Sequence, residues 1–301
     1  MKNFFLLAVL IGLFVTTVQS QVTDLARLEF TYFPQGKSDN SFRRVRTFIN
    51  VPIELNEDGY LVPGFGYRNV NLKLGDELPF SDLNLERYQS LTLSLGYTDK
   101  MKNDWRYVFQ GGVIAASNFS GDLEREDFIF EGAGFLIKDK TDLDQATLGA
   151  KPWRLILGLS YSTTAGRPFP LPIINYYREF APKWSYAVGV PKSNVKYRFN
   201  NRHAVNGFVT LDGFFANIQG DVAFQNDPND PAVRVGENIS MTTALSGLGY
   251  EYCFTRHLLF YVYGGWTIIN DIRIRDKDAK DIYTINDTNN IYARTGVKLK
   301  L

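Results

Sequence analysis

Cysteine occurs once, at Cys253, so no disulfide can form within the chain. A lone thiol nucleophile would need a base in reach, and Cys253 reads as a small strand side chain. Histidine occurs twice, at His203 and His257, each beside an arginine in a turn-like sequence. Two histidines and one cysteine fall short of the usual zinc ligand set. A membrane-barrel hydrolase would need a serine, a histidine and an orienting third group at the outer leaflet. No metal site, no cofactor and no enzymatic activity are therefore expected. Net charge is also nearly absent: 33 basic side chains meet 32 acidic ones. Such a chain lacks the basic footprint that a nucleic-acid partner requires. Beyond the first residues no apolar run approaches the ~18 residues of a spanning helix.

What the chain does have begins with a secretory signature. Lys2 precedes an apolar run over residues 4–15, and Val18-Gln19-Ser20 reads as a small-residue cleavage site. The expected organisation is a signal peptide over residues 1–20 and one domain over 21–301. Aromatics make up 15% of the chain, with 17 Tyr and 23 Phe, a composition suited to strands and bilayer interfaces.

The last stretch, residues 290–301, sets the pattern. Ile291, Ala293, Thr295, Val297, Leu299 and Leu301 alternate with Tyr292, Arg294, Gly296, Lys298 and Lys300. A period of two with aliphatics opposite cations marks a strand between two unlike environments. A terminal strand with an apolar face is an aggregation hazard unless it pairs with the first strand and closes a barrel. Similar alternation recurs throughout. Leu28 and Phe30 oppose Arg27 and Glu29; Leu91, Leu93 and Leu95 oppose Thr92 and Ser94; Leu155, Leu157 and Leu159 oppose Arg154 and Gly158. Periodicity alone leaves two solutions: a soluble sandwich with the apolar faces inside, or a membrane barrel with them outside.

Turn lengths favour the barrel. Short connections near residues 56–59, 99–104, 181–183, 200–203 and 255–257 mostly alternate with long ones at 34–42, 72–86, 117–126, 219–237 and 270–289. Bacterial outer-membrane barrels have this asymmetry, and only the long connection at 139–152 spoils it. Cations precede Trp105, Trp153 and Trp184, each of which opens a strand, and with Trp266 these tryptophans are the expected interface aromatics. Thirteen strands can be named. A turn at Pro191-Lys192 would split residues 184–199 and give fourteen, whereas one bulged strand there gives twelve. The expected fold is all-β: a closed antiparallel transmembrane β-barrel of about fourteen strands, with twelve as the alternative.

In that fold Arg27, Arg44, Arg46, Arg106, Arg154, Arg294 and Lys298 project into the lumen. A free basic lining favours anions in a pore. Alternatively these cations pair with Glu29, Glu131, Asp212 or Glu251 and plug the lumen. Residues 225–231 could gather oxygen ligands for calcium but lack the spacing and terminal glutamate of a calcium loop.

The leader ending before Gln21, the Tyr- and Phe-rich strands, Gly189-Val190-Pro191-Lys192-Ser193-Asn194-Val195 and the terminal Gly296-Val297-Lys298-Leu299-Lys300-Leu301 resemble a family of Bacteroidota outer-membrane β-barrels of undefined function. The resemblance covers nearly all of the chain after the leader. It departs at Leu301, where many such barrels end on an aromatic residue. It implies an outer-membrane barrel whose partners are membrane lipid, lipopolysaccharide and the barrel-assembly machinery. The function expected is a narrow channel or a lumen-binding protein for small solutes. A structural or adhesive barrel acting through its external loops, and a lipid-modifying enzyme, are the competing readings.

Overall fold

The computed structural model describes residues 24–34, 40–74, 84–141, 151–224 and 234–300. The leader and the candidate calcium loop at 225–231 lie outside the described residues. The strands are β1 (Asp24–Pro34), β2 (Ser41–Asn50), β3 (Ile53–Glu54), β4 (Tyr60–Lys73), β5 (Arg87–Lys100), β6 (Trp105–Ser117), β7 (Phe128–Lys140) and β8 (Trp153–Ser162). They continue as β9 (Phe169–Ala181), β10 (Trp184–Val190), β11 (Lys192–Arg198), β12 (His203–Phe224), β13 (Arg234–Cys253), β14 (Leu258–Arg275), β15 (Asp281–Asn286) and β16 (Ile291–Lys300).

Fourteen of these strands close a single antiparallel barrel, while β3 and β15 are short additions paired to β4 and β14. The terminal strand does close the wall: β16 pairs with β1, with Leu28 opposite Val297 and Arg27 opposite Lys298. Residues 184–198 form two strands that turn at Pro191, so the count is fourteen and not twelve.

Two expected loops are shorter than their polarity suggests. β12 and β13 extend into residues 219–237, reaching Phe224 and starting at Arg234. Residues 270–289 are mostly a hairpin, in which Arg273 and Arg275 of β14 hold Asp281 at the start of β15. Neighbouring opposite charges let these stretches pair as strands despite their polarity.

Strand alternation sorts the side chains. Leu28, Leu93, Phe130 and Leu248 point outward and are 57%, 65%, 70% and 75% exposed. A continuous apolar belt of this kind is matched by hydrocarbon and not by water. Inward positions carry Glu29, Arg44, Ser90, Asn206 and Glu251, all buried. Trp105, Leu155 and Leu299 do not share a core: Leu299 is 40% exposed, and the buried apolar cluster contains none of them.

Most of that cluster sits inside the end of the barrel that carries the long connections, and Leu259, Tyr261 and Tyr263 continue it down β14. β12 leaves the wall beyond β11 and crosses toward β6, where Asn217 bridges Ser117 in parallel. Asp127, in the turn before β7, accepts from Asn217 Nδ2 at 2.8 Å and from Gln219 Nε2 at 2.6 Å and pins the crossing strand. Phe33, Phe42, Val70, Tyr88, Phe214 and Ile218 pack beneath it. The long-connection end is thus filled by an apolar core, with the polar lumen below.

Candidate functional site in the lumen

Two carboxylates organise the lumen. Glu29 comes from β1, flanked in register by Arg46 of β2 and Gly296 of β16. Asp212 comes from β12 just before that strand bends inward. Arg44 donates to both oxygens of Asp212, Nη1 to Oδ1 at 3.0 Å and Nη2 to Oδ2 at 2.6 Å, and lies 3.5 Å from Glu29. Arg294 Nη2 donates to the same Asp212 Oδ2, and its Nε is 3.7 Å from Glu29. Tyr261 donates its hydroxyl to Glu29 at 2.6 Å. Bidentate charge-assisted bonds of this kind hold both partners in one geometry. Glu251 on β13 is separately satisfied, by Lys196 at 2.8 Å, Tyr263 at 2.8 Å and Asn206 at 3.2 Å.

Arg27 is held by Asp24 and lies 3.8 Å from Glu29, and Lys298 lies 4.0 Å from Asp24; Arg46, Arg68 and Lys192 are less well served. A cavity of about 320 Å³ is lined by six cations, Arg27, Arg46, Arg68, Lys192, Arg294 and Lys298, and by two carboxylates, Glu29 and Asp212. Glu131 faces the lumen from β7 but forms no ion pair among the described residues. Among those residues Arg46 makes neither a hydrogen bond nor an ion pair; it lies over the Phe48 ring at 5.8 Å and stands opposite Glu29 in register. Arg68 donates to the Gly213 carbonyl at 3.2 Å and lies over Phe214. Lys192 Nζ sits above Phe208 at 4.9 Å and Tyr263 at 5.0 Å. Cation–π contacts hold these groups without neutralising them.

The expected basic set is therefore divided. Arg27, Arg46, Arg294 and Lys298 line the cavity, and Arg44 stands behind it in its ion pairs. Arg106 and Arg154 lie elsewhere, at the short-turn end. Arg106 donates to the Asp58 carbonyl at 2.8 Å, and Arg154 lies 3.7 Å from Asp139. Trp105, Trp153 and Trp184 open strands at that same end, whereas Trp266 pairs with Ile291 at the other end of β16. Both alternatives for the basic set are present side by side: a salt-bridge network and an uncompensated remainder. Sequence reading missed Arg68 and Lys192. The parity of Tyr67 gives Arg68 an inward direction, but Lys192 reads as part of a turn. His203 and His257 lie at short turns, bonded to Tyr250 and Arg256. Among the described residues no His, Cys, Asp and Glu cluster is placed to hold a metal.

Residues 35–300 match the model of a family described as a domain of unknown function, DUF6268. The chain belongs to that family. No curated protein matches this DUF6268 member. Solved structures similar to it include the KdgM porin in complex with disordered oligogalacturonate, at 8% identity and TM-score 0.35 over 91% of this chain and 99% of that one. The translocator domain of the autotransporter NalP from Neisseria meningitidis matches at 13% identity and TM-score 0.33, covering 100% and 95%. The Pseudomonas putida toluene transporter TodX matches at 10% identity and TM-score 0.35, covering 92% and 89%.

Proposed function

We propose that this DUF6268 protein is an outer-membrane barrel of a Gram-negative bacterium, of the Bacteroidota, whose lumen binds small anionic solutes and passes them by a narrow route. The observation that carries this reading is that three of the six cations lining the cavity, Arg46, Arg68 and Lys192, have no ion pair among the described residues, while Arg27, Arg294 and Lys298 are held by Asp24, Glu29 or Asp212. Buried charge without a partner is costly, and a bound oxyanion would offset it. Arg and Lys in such a lining select anions by the same electrostatics that operate in anion pores. The apolar belt and the aromatics at the strand ends support the membrane placement.

Isothermal titration of the purified barrel with citrate and with a tetraalkylammonium salt tests it. Citrate should bind, the cation should not, and Arg46→Ala together with Arg68→Ala should weaken citrate binding tenfold or more. A barrel that binds neither, and shows no anion selectivity in a planar bilayer, is the structural or adhesive protein of the competing reading.

A further inference from the structure

The wall is not paired over its whole height. β10 last pairs with β9 at Ile174, and β11 first pairs with β12 at Thr210. The flanking strands run on without the hairpin, β9 back to Phe169 and β12 up to Phe224. This leaves a small unpaired gap bounded below by the tip at Pro191 and on its sides by residues 169–173 and 211–213. Above, the turn at residues 163–166 closes it against β12 and β13: a Cβ on Gly213 of β12 would meet Gly166 N and the Thr164 carbonyl at 2.5 Å, and Thr242 Oγ1 of β13 donates to the Ala165 carbonyl at 3.0 Å.

The N–H groups along the edges of this gap are accounted for. Glu179 N donates to the Pro152 carbonyl at 2.9 Å, so odd-numbered residues of β9 turn their N–H groups to β8 and even-numbered ones to the gap. The even positions beyond Ile174 are Pro172 and Pro170, which have no N–H to leave unpaired. On β12, Leu211 N donates to the Pro191 carbonyl at 2.9 Å, so the next groups facing the gap are those of Gly213. Asp212 Oδ1 accepts from Gly213 N at 2.9 Å, and Arg68 Nη1 caps its carbonyl at 3.2 Å. An open edge is tolerated in a bilayer only where its polar groups are satisfied or line a cavity.

The gap lies in the apolar band and opens on the cavity. Val190 stands six residues above Trp184, about 20 Å along the strand and roughly 15 Å along the membrane normal, within a band about 25 Å tall. Its outer rim is Ile174, Val188, Val190 and Val209, all exposed. Thr164, Pro191, Leu211 and Gly213 at its inner rim also line the cation-rich cavity. The axial approach from the long-connection end is blocked by the apolar core around Phe214 and Tyr88.

We propose that this gap is a lateral portal for an anionic amphiphile of the surrounding leaflet, an alkyl chain bearing a carboxylate or phosphate. Its head sits against Arg46, Arg68 and Lys192, and its chain stays among the rim aliphatics. This rests on the reading of the lumen as an anion-binding compartment. The test is titration of the barrel in a neutral maltoside detergent with dodecanoate, dodecyl phosphate, acetate and inorganic phosphate. It is paired with photolabelling by a diazirine-chain fatty acid.

Dodecyl anions should bind at least tenfold tighter than their short counterparts. Arg68→Ala with Lys192→Ala should lower that affinity tenfold or more, and Arg106→Ala should not; Lys192→Met alone serves if the double variant fails to fold. Label should fall on residues 169–174, 188–192 and 209–213. Preference for the carboxylate identifies a fatty-acid source, and preference for the phosphate a phospholipid-like one. Equal binding of acetate and dodecanoate, with loss in the Arg68 and Lys192 variants, overturns the portal and leaves the anion-binding lumen intact. Absence of binding by all four anions overturns both.

Discussion

Asn217 on β12 and Ser117 on β6 form a parallel bridge although five wall strands separate them around the barrel. The bridge exists because β12 departs from the cylinder and carries Phe214, Ala216 and Ile218 across its bore. Asp127 is fully buried and is the acceptor that fixes the departure. Asp127→Ala removes three hydrogen bonds, from Asn217, Gln219 and the Glu124 backbone N–H, each worth about 1.5–3 kcal/mol when the acceptor is a carboxylate. The expected result is a lower unfolding midpoint and faster protease cleavage between residues 219 and 237, with the belt-facing strands unaffected. Unchanged proteolysis there would mean that the bonds between residues 118–121 and Gln219, with the packing of the core, hold the crossing strand without Asp127.

Asp212 accepts from two arginines on two other strands, so its loss strands two cations. Asp212→Ala should destabilise the barrel by about 3–5 kcal/mol, the scale for breaking a buried ion pair from one side. Adding Arg294→Met should recover part of that loss. Urea unfolding in detergent measures both, and additivity of the two substitutions would contradict the proposed coupling.

Leu248 is 75% exposed, yet it should not tolerate charge. In a water-soluble protein Leu248→Arg would be nearly neutral. On a lipid-facing strand it should cost about 2–4 kcal/mol near the midplane. Folding into liposomes, followed by heat-modifiable gel mobility, distinguishes the two.

The β14–β15 hairpin at the long-connection end carries a pH-dependent clasp. Burial alone would raise the Asp281 carboxyl, but the bonds to Arg273 and Arg275 outweigh it and hold it below its ordinary value of 3.8. A carboxyl depressed on folding stabilises the hairpin above its ordinary value. That stabilisation is lost as pH falls from 3.8 through the lower folded value. Amide protection over residues 281–286 should therefore fade in that acid window, and should already be weak at neutral pH in Asp281→Asn. Protection that does not change with pH would assign the hairpin to its backbone ladder.

Much of this architecture was legible in the alternation of side chains, because a strand between lipid and a polar lumen must change character at every residue. Residues 290–301 show it most clearly, and the pairing of β16 with β1 follows from it. Pro191 announced the hairpin that makes the count fourteen. The inward crossing of β12 left no such mark. Val205 and Val209 face outward by parity, as do Phe215 and Asn217, and nothing local shows that the strand has left the wall between them. The site was half legible for the same reason. Direction follows from parity, which placed Arg27, Arg46, Arg294 and Lys298. Height along the bore does not, so Arg106 and Arg154 were grouped with them although they sit at the short-turn end. Which cations remain unpaired depends on Asp212 arriving from across the barrel, a contact between residues 168 positions apart in the case of Arg44.

The central claim is the inside-out assignment of adjacent positions. Spin labels at Leu93 and at Ser94, in a Cys253→Ser background reconstituted into liposomes, test it by their collision rates with oxygen and with a water-soluble nickel chelate. High oxygen and low nickel accessibility are expected at position 93, with the ratio falling at 94. Two labels equally shielded from both reagents, or position 93 freely reached by nickel, would contradict it.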